Sequence, residues 1–174
     1  MTLQAGDKAP DFKTKDQDGN EVKLSSFKGK KVVLYFYPKD MTPGCTAQAC
    51  DLRDNYKALQ KAGYEVLGIS ADDEKAHQKF ITKEQLPFTL LADTDKSVHA
   101  QYGTWKEKSM YGRKYMGTAR TTFIIDEKGV IEEVIENIDT KNHTSQILKT
   151  SVPKVTAKVQ FAAKKVARKT GTKK

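Results

Sequence analysis

Val32-Val33-Leu34-Tyr35-Phe36-Tyr37-Pro38 decides the fold. Six apolar residues, mostly β-branched or aromatic, run without a polar interruption. A run this short and continuous reads as a strand buried on both faces, inside a layered sheet. Pro38 has no N–H to give to a ladder, so the strand ends there. The chain then alternates. Lys39 to Gly44 reads as a loop. From Cys45 to about Ala62 the pattern is helical, with Leu52, Tyr56, Leu59 and Ala62 at spacings of four, three and three. Gly63 stands where a helix C-cap glycine belongs. Tyr64 to Ser70 reads as a strand, Glu74 to Glu84 as a helix broken before Pro87, Phe88 to Ala92 as a short strand and Lys96 to Tyr102 as a short helix.

Two hairpins frame this alternation. Thr121 to Ile125 and Val130 to Ile135 flank the turn Asp126-Glu127-Lys128-Gly129, and Phe12 to Thr14 and Val22 to Leu24 flank Asp16-Gln17-Asp18-Gly19-Asn20. Strands interleaved with helices predict an α/β fold with helices on both faces of a central sheet. The closing hairpin makes that sheet mixed.

The 174 residues suit one domain, with residues 1–150 as its body. With 37% hydrophobic and 30% charged residues, and no apolar run near the ~18 residues of a spanning helix, membrane insertion is not expected. Met1 to Lys8 lacks the basic and apolar regions of a secretory signal, so a cytoplasmic location is expected. The net charge of +9 is unevenly placed. Nine of the 31 basic residues and none of the 22 acidic ones lie from Lys149 onward, so the body is neutral. Val152, Val155, Val159, Ala162 and Val166 form one helical stripe there, predicting a basic amphipathic helix within 151–174 and a disordered end at 170–174. Such a tail suits docking on the body, or weak contact with nucleic acid or an anionic surface.

There are two cysteines, Cys45 and Cys50. That is too few for a disulfide-stapled scaffold or a four-cysteine zinc site. His77, His99 and His143 are scattered without metal-ligand spacing and read as surface or structural groups. Two neighbouring cysteines point instead to redox chemistry. Cys45 follows the loop Pro38-Lys39-Asp40-Met41-Thr42-Pro43-Gly44 and falls in the first helical turn. There, unpaired N–H groups and the helix dipole favour an anion, here a thiolate. Lowering a thiol's pKa from ~8.5 to roughly 6 raises its thiolate fraction at neutral pH ~30-fold, or about 2 kcal/mol. That is too little for a fast enzyme, so alignment of the substrate and stabilisation of the leaving group must supply the rest. The Thr42 hydroxyl is placed to hydrogen-bond the thiolate or its substrate. Pro43 is placed to shield the sulfur, and Pro38 to set the loop direction. On an ideal helix, Cα atoms five residues apart lie roughly 8.6 Å from each other, beyond the ~7 Å limit of a disulfide. A Cys45–Cys50 bond therefore requires local unwinding. Free cysteines also serve as small buried hydrophobes, an alternative that weighs more on Cys50 than on Cys45.

The pattern Pro38-xxx-Thr42-xx-Cys45 resembles the peroxidatic signature of the peroxiredoxins. The run from Tyr37 to Thr46, the second cysteine in Gln48-Ala49-Cys50-Asp51-Leu52-Arg53, and the later blocks Tyr102 to Trp105, Met110 to Gly112 and Gly117 to Asp126 resemble the bacterioferritin comigratory protein / peroxiredoxin Q subfamily. The likeness spans roughly residues 3–150. It implies a thioredoxin-like fold with an added N-terminal β-hairpin. It implies reduction of hydrogen peroxide and organic hydroperoxides through a Cys45 sulfenic acid and a Cys45–Cys50 disulfide, with thioredoxin or a similar dithiol protein as reductant. Arg120 joins the active site on this likeness alone, where a permanent cation would favour the thiolate and donate to peroxide oxygen. No metal, haem or flavin is implied, and a monomer or weak dimer is expected. Two rival readings are weaker. A thiol–disulfide oxidoreductase usually has two residues between its cysteines, against four here. A basic nucleic-acid-associated protein would have no use for so complete a thiol site.

Overall fold

A computed structural model describes residues 2–151. The tail helix expected within 151–174 and the disordered end expected at 170–174 lie, past Ser151, outside the described residues. Strands β1 (Lys13–Asp16) and β2 (Glu21–Lys23) form the N-terminal hairpin, followed by a 3-10 turn at Leu24–Phe27. Then come β3 (Lys31–Phe36), α1 (Pro43–Asp54), α2 (Tyr56–Lys61), β4 (Tyr64–Ser70), α3 (Glu74–Glu84), β5 (Thr89–Ala92) and α4 (Ser97–Tyr102). The chain continues through β6 (Trp105–Met110), β7 (Arg113–Thr118), β8 (Thr121–Ile125), β9 (Ile131–Ile135) and α5 (His143–Ser151).

The main sheet has seven strands in the order β2-β1-β5-β4-β3-β8-β9. β3 pairs in parallel with β4, and β4 with β5, while β8 and β9 close one side antiparallel. The sheet is mixed, as predicted. Because β3 lies inside it, its side chains alternate between two cores. Val33, Tyr35 and Tyr37 pack with Ala49 and Leu52 of α1, Leu59 of α2, Phe80 of α3 and Ile147 of α5. Val32, Leu34 and Phe36 pack on the other face with Val98 and Tyr102 of α4 and with Phe12 and Leu24. Removing side chains of this size from water stabilises by about 1.5–3 kcal/mol each, which explains why the run tolerates no polar residue.

Three features depart from the sequence reading. The predicted helix from Cys45 to Ala62 is two helices that start earlier, at Pro43, and break at Asn55. The Asn55 side-chain amide donates to the Asp51 carbonyl at 2.8 Å, beside the Asn55 backbone N–H, which donates to the same oxygen at 3.2 Å. The hairpin β6–β7 was not anticipated. It stands apart from the main sheet. Its side chains are largely solvated, so no apolar alternation marks it. Its turn is Tyr111-Gly112, both at positive φ (52° and 80°), the two-residue geometry that matches strand twist. Helix α5 was also missed. The Thr144 N–H donates to the Asp51 carboxylate at 2.7 Å, tying α5 to α1.

Candidate active site

The site forms where β3 gives way to α1. Tyr37 N–H still donates to the Ile69 carbonyl at 3.1 Å, and Pro38 then stops the ladder. In the loop, Met41 takes a left-handed conformation (φ 65°), which costs a non-glycine residue about 1–2 kcal/mol. Asp40 holds it there. Its N–H donates to the Asp72 carboxylate at 2.8 Å. Its own carboxylate accepts from the Tyr37 hydroxyl at 2.6 Å and meets His77 Nδ1 at 2.7 Å. The other nitrogen of His77 meets the Leu91 carbonyl at 2.9 Å, so it must carry a proton.

Thr42 is the N-cap of α1, Pro43 its first residue and Cys45 its third. The first intrahelical bond is Thr46 N–H to the Thr42 carbonyl, at 2.8 Å. The N–H groups of Gly44 and Cys45 precede it, at the positive end of the helix dipole. Cys45 is a free thiol with 1% of its surface exposed. Arg120, between β7 and β8, spans the gap from the opposite side. Its Nη2 donates to Cys45 Sγ at 3.4 Å and its Nη1 to the Gln48 side-chain oxygen at 2.8 Å. Gly44 leaves room for this approach, since a Cβ there would lie 3.2 Å from Nη2, closer than an ordinary van der Waals contact.

The structure thus brings Cys45 and Arg120 together and sets Thr42 one turn away. The Thr42 hydroxyl donates to the Lys39 carbonyl at 2.8 Å. Pro38 is half-buried at the start of the loop. Cys50, also free and half-buried, points elsewhere, donating to the Glu84 carboxylate at 3.3 Å. Burial, then that hydrogen bond, push its thiol pKa up against the pull of Arg53.

Sequence reasoning missed Gln48, Glu84, Asp40 and Lys108. Gln48 is fully buried, and its side-chain nitrogen has no partner among the described residues. Its spacing of three from Cys45 puts both on one helix face, a signal available in the sequence. Lys108, on the unanticipated hairpin, donates to the Thr118 carbonyl at 2.8 Å. Burial, then the charge of Arg120, push its ammonium pKa down, while Cys45 opposes them. The three histidines, expected at the surface or in structural roles, are all fully buried and hydrogen-bonded. None lies at the surface, because each has a partner that satisfies its ring nitrogens inside the core.

A thiol in the first turn of a helix, at the carboxyl end of a buried strand and faced by a guanidinium, defines a class: thiol peroxidases on a thioredoxin-like fold. The AhpC/TSA family matches residues 5–134, and the chain belongs to that family. It is 52% identical to peroxiredoxin Bcp of Escherichia coli (strain K12) over 146 residues, which are 84% of this chain and 94% of that protein. Among solved structures it is similar to peroxidoxin BcpB of Mycobacterium tuberculosis, with 35% identity, a TM-score of 0.76 and coverage of 85% and 96% of the two chains. It is also similar to the bacterioferritin comigratory protein of Xanthomonas campestris, solved for insight into that protein's alkyl peroxide reduction activity. There the identity is 31%, the TM-score 0.77 and the coverage 83% and 95%. No helix among the described residues is long and apolar enough to cross a membrane.

Proposed function

We propose that Cys45 reduces peroxides and that Cys50 resolves the product. The Cys45 thiolate attacks the terminal oxygen of a hydroperoxide. The O–O bond breaks, Cys45 becomes a sulfenic acid, and the other oxygen leaves as water or an alcohol after taking a proton. The guanidinium of Arg120 stabilises the thiolate and then the charge on the departing oxygen. Thr42 spends its hydrogen on Lys39, so toward the substrate it offers lone pairs, suited to accept from the peroxide O–H. Pro38 fixes the exit of the chain from β3 and Pro43 opens α1.

Cys50 then attacks the sulfenic sulfur. An S–S bond forms, the S–O bond breaks and water leaves. The two cysteines stand five positions apart on the helix, so the first turns of α1 unwind and the Cys50–Glu84 contact breaks. Thioredoxin or a similar dithiol protein reduces the disulfide by exchange. Hydrogen peroxide and organic hydroperoxides are the expected substrates. For the latter, the alkyl peroxide activity named for the Xanthomonas campestris relative adds support.

The observation that carries this reading is the 3.4 Å contact between Arg120 Nη2 and Cys45 Sγ at the start of α1. A peroxide-consumption assay with dithiothreitol tests it. Cys45→Ser abolishes turnover. Cys50→Ser keeps the first oxidation but stalls recycling unless an external thiol substitutes. Mass spectrometry after one equivalent of peroxide finds a 45–50 disulfide in the wild type. Turnover by Cys45→Ser, or oxidation elsewhere with Cys45 untouched, overturns it.

A further inference from the structure

Arg120 sits midway between two buried threonines, each in contact with a buried histidine. Thr118, the last residue of β7, has its Oγ1 2.8 Å from His99 Nε2. Thr122, the second residue of β8, has its Oγ1 2.8 Å from His143 Nε2. His99, His143 and Thr122 are 0% exposed, and Thr118 is 2%. We infer that His99 and His143 are positioning residues for Arg120, fixing the backbone on either side of it so that its guanidinium meets Cys45 and Gln48 together.

The proton positions follow from the partners. His99 Nδ1 lies 2.6 Å from the Asp93 carboxylate, which also accepts from the backbone N–H groups of His99 (2.8 Å) and Val98 (3.1 Å). His143 Nδ1 lies 2.8 Å from the Gln146 side-chain oxygen, which also accepts from the Asp139 N–H. Both Nδ1 atoms face acceptors and therefore donate. Burial pushes the His143 ring pKa down, which leaves its Nε2 as an acceptor for the Thr122 hydroxyl, and the remaining nitrogen of His99 is held against the Thr118 hydroxyl. The two anchors come from opposite sides of the sheet. His99 belongs to α4, whose Val98 and Tyr102 lie in one core, and His143 opens α5, whose Ile147 lies in the other. The segment from Thr118 to Thr122 is thus gripped from both faces. It is pinned once more by the Ala119 N–H donating to the Thr104 carbonyl at 2.7 Å.

A core that needed only volume here would be served by valine at both positions. A fork that must reach two acceptors at once needs more, because a displacement of ~1 Å at a reacting group costs on the order of 100-fold in rate. The inference rests on the role given to Arg120 above, and the test separates the two.

The test uses the full chain with Thr118→Val, Thr122→Val and both together, alone and in an Arg120→Met background. The readouts are the second-order rate of oxidation of the reduced protein by hydrogen peroxide, the pH profile of Cys45 alkylation by iodoacetamide, and the thermal midpoint. Each single valine variant is expected to slow oxidation about tenfold and the pair more, with alkylation moving to higher pH. Thr118→Ser and Thr122→Ser, which keep the hydroxyl, retain the wild-type rate within about twofold. In the Arg120→Met background the valine changes have no further effect, because they act through Arg120. Should a valine variant fail to fold, His99→Asn and His143→Asn, which retain a donor near Nδ1 and lose the Nε2 contact, are read in the same way. Valine variants that oxidise at the wild-type rate overturn the inference, as does an equal loss with and without Arg120. An Arg120→Met protein with the wild-type rate overturns the role of Arg120 itself, and the inference falls with it.

Discussion

Replacing Arg120 with methionine removes two contacts and leaves a chain of similar bulk. The first is the donor at 3.4 Å from the Cys45 sulfur. Unit charges at that separation interact by about 5 kcal/mol at an effective dielectric constant of 20 and by about 1.2 kcal/mol in bulk water. Arg120 is half-buried, so its effect falls between these limits. Removing one donor aimed at developing negative charge costs about 2.7–4 kcal/mol in other enzymes. The expected fall in the rate of oxidation by hydrogen peroxide is therefore about 100- to 1000-fold. The second contact is the 2.8 Å bond to Gln48, whose other polar end already lacks a partner among the described residues. An orphaned buried acceptor costs about 1–3 kcal/mol, so the thermal midpoint should drop by about 2–10 °C in a chain of this size. Arg120→Lys keeps the charge but not the fork, and should recover part of the rate without recovering the bond to Gln48. Stopped-flow oxidation of reduced protein and a thermal melt give both numbers. A methionine variant that oxidises within threefold of the wild type would refute the assignment of Arg120 to the reacting sulfur.

Glu84→Gln removes the carboxylate that, after burial, holds the Cys50 thiol pKa up. Alkylation of Cys50, followed by peptide mass mapping, should extend to lower pH in the variant, and an unchanged profile would exclude that influence. Gly44→Ala places a methyl 3.2 Å from Arg120 Nη2. It should slow peroxide oxidation about tenfold or more while leaving the melting temperature within a few degrees, and full activity would show that the guanidinium yields freely. The buried histidines should shape stability against pH in opposite senses. Burial alone would push the His77 ring pKa down, but the hydrogen bond and charge of Asp40 outweigh it and raise it. Its contribution is fully present below about 6.5, the unfolded value, and is lost as pH rises through the higher folded value. Burial pushes His143 down, so its contribution is present above about 6.5 and is lost as pH falls through the lower folded value. Urea unfolding across pH should lose its alkaline decline in His77→Gln and its corresponding acid decline in His143→Gln. Superimposable curves would count against both assignments.

The elements that were legible in the sequence carry their own signal. β3 could be read because a strand covered on both faces must be apolar at every position, and Leu34 and Phe36 are indeed fully buried. β4 and β8 keep the predicted bounds because they are buried almost throughout and so apolar along their length, and α3 because its buried residues, His77 and Phe80, stand three apart. Cys45 could be found from the loop that precedes it, since a helix start after a strand is a local event. β6 and β7 could not, because strands solvated on most positions have no apolar period. The break at Asn55 leaves the apolar spacing untouched, so no period in the sequence marks it.

The sequence by itself determined the α/β layering, the strand-to-helix junction and the sulfur at its tip. All three follow from interactions between residues close along the chain: hydrophobic period, a proline that stops a ladder, and N–H groups left open at a helix start. Only the tertiary structure decided what faces that sulfur. Arg120 lies 75 residues from Cys45, Glu84 lies 34 from Cys50, and His77 lies 37 from Asp40. Nothing in the local pattern of a guanidinium or a carboxylate states which distant group it will meet. The order of strands in the sheet settles that, by laying β8 beside β3 and so carrying Arg120 to the mouth of α1.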